Sequence, residues 1–234
     1  MSRRVLLDRD LTQAWLDIAM TVAASQPDLS DARTELHRRL ESSGLGDAAR
    51  TKTVTALMRS WFTPDPRLQP LVAWAAQQGR DLADSRPLHI GVLLATQPFF
   101  ADQIAIVGRI LAVQDDVETP TVRSRMKAVW GPRKAVDNAV QRTIKTMRSL
   151  GMLEGHPSES VSQRAAPIGV EPKVAGWLAA CLLRARGADA ISSTELAAAP
   201  ELCYLEMPTL AAGSNPWLIR HSEGAGRTVL TLAQ

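Results

Sequence analysis

Cysteine is nearly missing from this chain of 234 residues, which has only Cys181 and Cys203. Two thiols cannot build a disulfide framework or a four-cysteine zinc site. Histidine is also scarce: His37, His89, His156 and His221 never fall at H-x-x-x-H spacing, and the lone H-x-x-E, His156 to Glu159, has no second histidine beside it. The chain also lacks G-x-x-x-x-G-K-[ST], G-x-G-x-x-G and G-x-S-x-G, the loops that cradle phosphates or expose a nucleophilic serine. Asp115, Asp116 and Glu118 are the nearest thing to an acidic metal cluster, but between two helices they read more simply as caps and dipole partners. With no motif that carries a mechanism, the sequence predicts no enzyme, no cofactor and no metal.

Long hydrophobic runs are missing too. The most apolar tract, His89 to Val113, is interrupted by Pro98, Asp102, Gln103 and Arg109. A spanning helix needs about 20 apolar residues, so the tract reads as two buried helices that break near Pro98. The first ten residues mix acid and base with no apolar core, which predicts no secretory signal. The expectation is a cytoplasmic chain that does not enter a membrane.

The most telling absence is local. Residues 119–151 carry eight basic side chains and one acid, a net of +7, while the whole chain totals only +3. The other stretches nearly balance, at +1 for residues 1–60, −3 for 61–118 and −2 for 152–234. One block of 33 residues therefore dominates the charge, and such a block says more about partners than the net charge does.

What is present is mostly helix. Leu11, Ala14, Trp15, Ile18 and Val22 form one stripe, with Asp10 as expected cap and Pro27 as stop. Ser30 is expected to cap a second helix carrying Leu36 and Leu40, and Gly44 and Gly46 break the chain. A third helix runs from Asp47 to about Phe62 and ends at Pro64-Asp65-Pro66, and a fourth spans about Leu68–Gln78. After the apolar pair comes a helix begun by Pro120 with Thr119 as cap and Val122, Met126 and Val129 inward. A turn at Trp130-Gly131-Pro132 leads to a helix reaching Leu150, whose stripe is Val136, Val140, Ile144 and Met147. Met152–Glu154 and Gln163–Ile168 read as strands around a polar loop with Pro157. A helix over about Glu171–Arg186 stops at Gly187, Ser192 to Glu195 opens a short capped helix, and the tail reads as a β-hairpin. Cys181, Cys203 and most of the six tryptophans read as core residues.

The predicted fold is mainly α, a helical bundle with winged-helix or helix-turn-helix-like subdomains and short β-hairpins. The expected units are 1–66, 67–118, 119–168 and 169–234. The third is the basic winged-helix-like unit, and the last is a C-terminal helix with a hairpin module.

The basic block follows a helix–turn–helix–hairpin order. With the apolar stripe inward, Arg133, Lys134, Asn138, Gln141, Arg142, Lys145 and Arg148 point out from the second helix. Arg123, Arg125 and Lys127 lie on the first, and Gln163 and Arg164 on the hairpin. Such cations neutralise phosphates and release counterions, while amides and arginines on a helix in the major groove read base edges. A weaker set, Arg50, Lys52 and Arg59, projects from the third helix, where Glu35, Glu41 and Asp47 nearly cancel it.

The second basic helix ends in Leu150-Gly151-Met152-Leu153. That ending, after an early helical pair and central apolar helices, resembles the BrxA family of bacterial BREX phage-defence systems. The resemblance spans roughly residues 8–155. It implies a mostly helical DNA-binding protein with winged-helix-like parts, which acts in host defence alongside other defence proteins, and it carries over no catalytic residue. The sequence thus predicts a non-enzymatic protein that binds double-stranded DNA. Two alternatives stay open: an assembly adaptor whose basic face docks an acidic protein, and a winged-helix transcriptional regulator. It leaves open DNA versus RNA, sequence specificity and oligomeric state.

Overall fold

The computed structural model describes residues 7–62, 65–156, 158–210, 216–223 and 227–233. Three expected turn features, at Pro64, Pro157 and the glycine-rich tip 224–226, lie outside the described residues. Among those described are ten α-helices and eight short strands, so the chain is mainly α with small sheets.

Helix α1 (Gln13–Ala23) starts two residues later than Asp10 would allow. Thr12 is its cap, and the Thr12 hydroxyl accepts the Trp15 N–H. Asp28, not Ser30, caps α2 (Leu29–Arg39), because its carboxylate takes the N–H groups of Ser30 and Asp31 together. Gly44, at φ +72°, turns the chain toward α3 (Asp47–Trp61). Then come α4 (Gln69–Gln78), α5 (Arg86–Thr96) and α6 (Pro98–Leu111). The axis bends by 114° between α5 and α6. Pro98 stops one helix and starts the next, since the residue before a proline leaves the helical region. No single described helix is long and apolar enough to cross a membrane.

Helix α5 is the centre of the core, packed against α3, α4, α6 and α9 (Pro172–Arg186). Gly91 faces the Trp177 ring so closely that a Cβ there would sit 2.3 Å from ring carbon Cζ3. The indole N–H of Trp177 donates to the Leu71 carbonyl at 2.9 Å, so α4, α5 and α9 meet at one tryptophan. On the other side His89, fully buried, holds Asp17 of α1 at 2.8 Å, and the Ser85 hydroxyl donates to the same carboxylate oxygen at 2.7 Å. Burial pushes the Asp17 carboxyl up, but those hydrogen bonds outweigh it and leave the group below its ordinary range.

The second half alternates helices with small sheets. Strand β1 (Asp116–Glu118) enters α7 (Thr119–Trp130). A turn at Gly131 leads to α8 (Lys134–Ser149), followed by β2 (Leu153–Glu154) and β3 (Val161–Arg164). The sheet order is β1-β3-β2, all antiparallel. The acids expected as caps are therefore partly strand: Asp116 pairs with Gln163 and Glu118 with Val161. Thr119 is the first residue of α7, not its cap, and its N–H donates to the Ser160 carbonyl. The expected strand to Ile168 ends at Arg164, and β4 (Ile168–Gly169) pairs in parallel with β6 (Leu205–Glu206). Gly187, at φ +63°, closes α9 as expected.

Strand β5 (Ala190–Ser192) then enters α10 (Ser193–Ala197), whose capping box joins Ser192 and Glu195. A 3₁₀ turn, Pro200–Leu202, docks on α6 before the terminal hairpin β7 (Leu218–Ser222) and β8 (Thr228–Leu232). This sheet runs β5-β8-β7. Cys181 is buried in α9, whereas Cys203 is exposed, contrary to the core position expected for it.

Candidate nucleic-acid interface

The α7–α8 pair is fixed from below. Val122, Met126 and Trp130 face inward on α7, and the Trp130 indole donates to the Asp102 carboxylate of α6 at 2.9 Å. Trp130 takes the inner place expected for Val129, because the buried stripe of α7 advances in four-residue steps from Val122 through Met126 to Trp130 and leaves Val129 49% exposed. On α8 the stripe Val136, Val140, Ile144 and Met147 is buried as predicted. Gln103 of α6 donates to the Val140 carbonyl at 3.1 Å. Thr146 and Ser149 accept the backbone N–H groups of Leu11 and Gln13, which ties the segment ahead of α1 to the end of α8.

The outer side sorts the expected cations into two groups. Arg125, Lys134, Asn138, Gln141 and Lys145 are exposed, Arg142 is half-buried, and none of these six makes a side-chain hydrogen bond or close ion pair among the described residues, although Lys134 adds to the field on Asp137. Four cations are engaged instead. Lys127 and Arg123 converge on Asp137, at 2.8 and 3.5 Å. The Lys127 ammonium, before the other neighbouring cations, holds the Asp137 carboxyl below its usual range. Arg133 donates to the Trp130 carbonyl at 3.0 Å and so closes the end of α7.

Arg148 is the clearest reassignment. Its guanidinium reaches the carbonyls of His156, Glu159 and Val161 and the Ser162 hydroxyl. It braces the hairpin from within. Its spacing on α8 is that of an outward residue, and only the fold of the following loop over it reveals the role.

Between the start of α7, the middle of α8 and the loop at 158–160 lies a small hollow of about 400 Å³. Arg123, Gln141, Lys145 and Arg148 line it together with Thr119, Ser160 and one acid, Glu159. Three cations, one amide and one carboxylate thus face this hollow, and one of the cations, Arg148, is already taken up by the hairpin. On the hairpin, Gln163 is exposed, while Arg164 pairs with Asp115 at 3.2 Å.

The weaker set on α3 is not comparable. Arg50 is paired with Asp47, Arg59 is half-buried, and only Lys52 is an exposed cation without a partner among the described residues. Helix α3 packs on α1, α2 and α5, whereas α8 packs on α6 and α7. Nearby, Arg38 and Arg39 both bind Glu35, and Arg38 first among them pulls that carboxyl down to about 2. No group of three or more potential metal ligands occurs among the described residues.

Compared with family models, with curated proteins and with solved structures, the chain has no match.

Proposed function

We propose that this protein binds duplex DNA through the α7–α8 face, with α8 as the helix that enters the major groove. The order α6, β1, α7, α8, β2, β3 with sheet order β1-β3-β2 is compatible with a winged-helix arrangement, and this supports the reading. One observation carries it: Lys134, Asn138, Gln141, Arg142 and Lys145 stand together on α8, opposite a buried stripe, and no side-chain hydrogen bond or close ion pair among the described residues occupies them. Surface helices ordinarily intersperse acids among such cations. Here the single acid, Asp137, is consumed by Lys127 and Arg123. Arg142 and Lys145 serve phosphates, Asn138 and Gln141 suit adenine edges, and Arg125 grips the backbone alongside. The resemblance to BrxA supplies the proposed setting, bacterial phage defence, and no catalytic step is assigned.

The test is a gel-shift titration with a duplex over a range of salt. Every phosphate left without its cation should lower the log–log salt slope by roughly 0.9, so an Arg125/Arg142/Lys145→Ala variant should show a slope smaller by about 2.7. Undiminished binding by that variant would remove this face from the assignment. No shift even at low salt, together with a nuclease-resistant acidic protein partner, would replace DNA with an adaptor role.

A further inference from the structure

A second and larger hollow lies away from the basic face. It measures about 1020 Å³ and sits between the end of α6, strand β3, α10, the segment 198–210 and the terminal hairpin. That volume is at the upper end for small-molecule sites, roughly 300–1,000 Å³. Its wall is apolar, built from Leu196, Leu202, Leu205, Met207, Leu218 and Leu230.

Its charged side chains have one sign, beside the neutral hydroxyls of Ser193, Thr209 and Thr228. Arg109, Arg164 and Arg220 reach it from three different elements, and no aspartate or glutamate is among the described residues that line it. Arg109 has no side-chain partner among the described residues. Arg220 has only a 3.3 Å contact to the Thr228 hydroxyl. Arg164 is held by Asp115, whose side chain is 91% exposed, and a solvent-screened pair of that kind yields readily to a better-placed anion.

We propose that this cavity binds an amphipathic organic anion, with a hydrocarbon or aromatic body against the leucine wall and an acidic head between the three guanidiniums. The apolar area gives affinity for the body, and charge-assisted hydrogen bonds select the head. Cys203 lines the same space. Its sulfur is turned toward Gly108 of α6, and desolvation there pushes the thiol up to about 11.

The probe is the anionic dye 1-anilinonaphthalene-8-sulfonate, titrated into the full chain and then displaced by decanoate or by decanol. These two share a tail and differ in the head. The expected result is saturable fluorescence from one dye per chain, displaced by decanoate about tenfold more tightly than by decanol. Ala198→Trp fills the space from an exposed wall position and should abolish the saturable signal with the melting temperature unchanged. Should that variant fail to fold, Arg109→Gln/Arg220→Gln leaves the volume intact and should erase the preference for decanoate over decanol. Dye binding that does not saturate, or that survives in folded Ala198→Trp, overturns the site. Equal displacement by the two amphiphiles overturns its anionic character.

Discussion

In the unit β1–α7–α8–β2–β3, the strand ahead of the helix pairs with the last strand of the hairpin, and β5–α10–β7–β8 repeats that arrangement. What lies between helix and hairpin differs. The first unit holds the 16-residue α8, which fills the space and turns its charged side out. The second holds a three-residue 3₁₀ turn, a two-residue strand and a cavity. The sequence explains the difference, because α8 has no proline while Pro200, Pro208 and Pro216 interrupt the corresponding stretch. A shared sheet order therefore leaves function open. The segment beneath it decides whether the unit presents a helix or an opening.

The largest effect should come from the junction of the two units. Gly108 of α6 lies under the 3₁₀ turn, and a Cβ there would fall 2.0 Å from the Pro200 carbonyl oxygen. Backbone cannot yield as a side chain does, so Gly108→Ala should cost about 3 kcal/mol and lower Tm by roughly 6–12 °C. Urea unfolding measures the destabilisation, and hydrogen exchange should place the weakened protection in β5, β7 and β8. Wild-type stability in this variant would mean that the second unit does not dock there.

The next contrast lies within the first unit. Arg148→Ala removes the brace of the hairpin and leaves several carbonyls to water, at about 2 kcal/mol. Lys145→Ala, one turn earlier and exposed, should stay within about 0.5 kcal/mol of wild type. Thermal melts of the two variants separate a cation that holds the fold from one that faces a partner.

Much of this was legible in the residues. The apolar stripe on α8, the break at Pro98, the stop at Gly187 and the capped turn at Ser192 each follow from a local rule, and the structure contains all four. Strands β1 and β5 were not legible, because three residues flanking a helix carry no period of their own and exist only through pairing with β3 and β8. The same limit applied to the basic face. Its extent could be read from composition, but which cations are spent depends on Asp137 meeting Lys127 from another helix and on a loop folding over Arg148. The cavity left no sequence signal, since its wall comes from elements up to a hundred residues or more apart.

Binding should divide the same cations. Arg142→Ala/Lys145→Ala should weaken DNA binding roughly 30-fold at 0.15 M salt and reduce the salt slope by about 1.8. Lys127→Ala should change the slope far less, because Asp137 already neutralises that ammonium. A slope change for Lys127 as large as for Lys145 would show that the ion pair opens on binding.

The smallest effect, and the most specific, concerns Asp137 itself. Its carboxyl is held below the usual range, so it is ionised throughout the neutral range and keeps Lys127 and Arg123 occupied. Asp137→Asn removes that charge, and two cations of α7, Lys127 and Arg123, become available, the latter lining the small hollow. DNA affinity should rise about three- to tenfold at moderate salt, with a steeper salt dependence. The sign also holds with pH. Below its depressed pKa the wild-type carboxylate is protonated and its hold on the cations ends, so the gap between wild type and Asp137→Asn should close only in strong acid and remain constant from about pH 5 to 8. A variant that binds no more tightly than wild type would show that Lys127 and Arg123 do not face the DNA. The interface would then contract to the exposed side of α8 and Arg125.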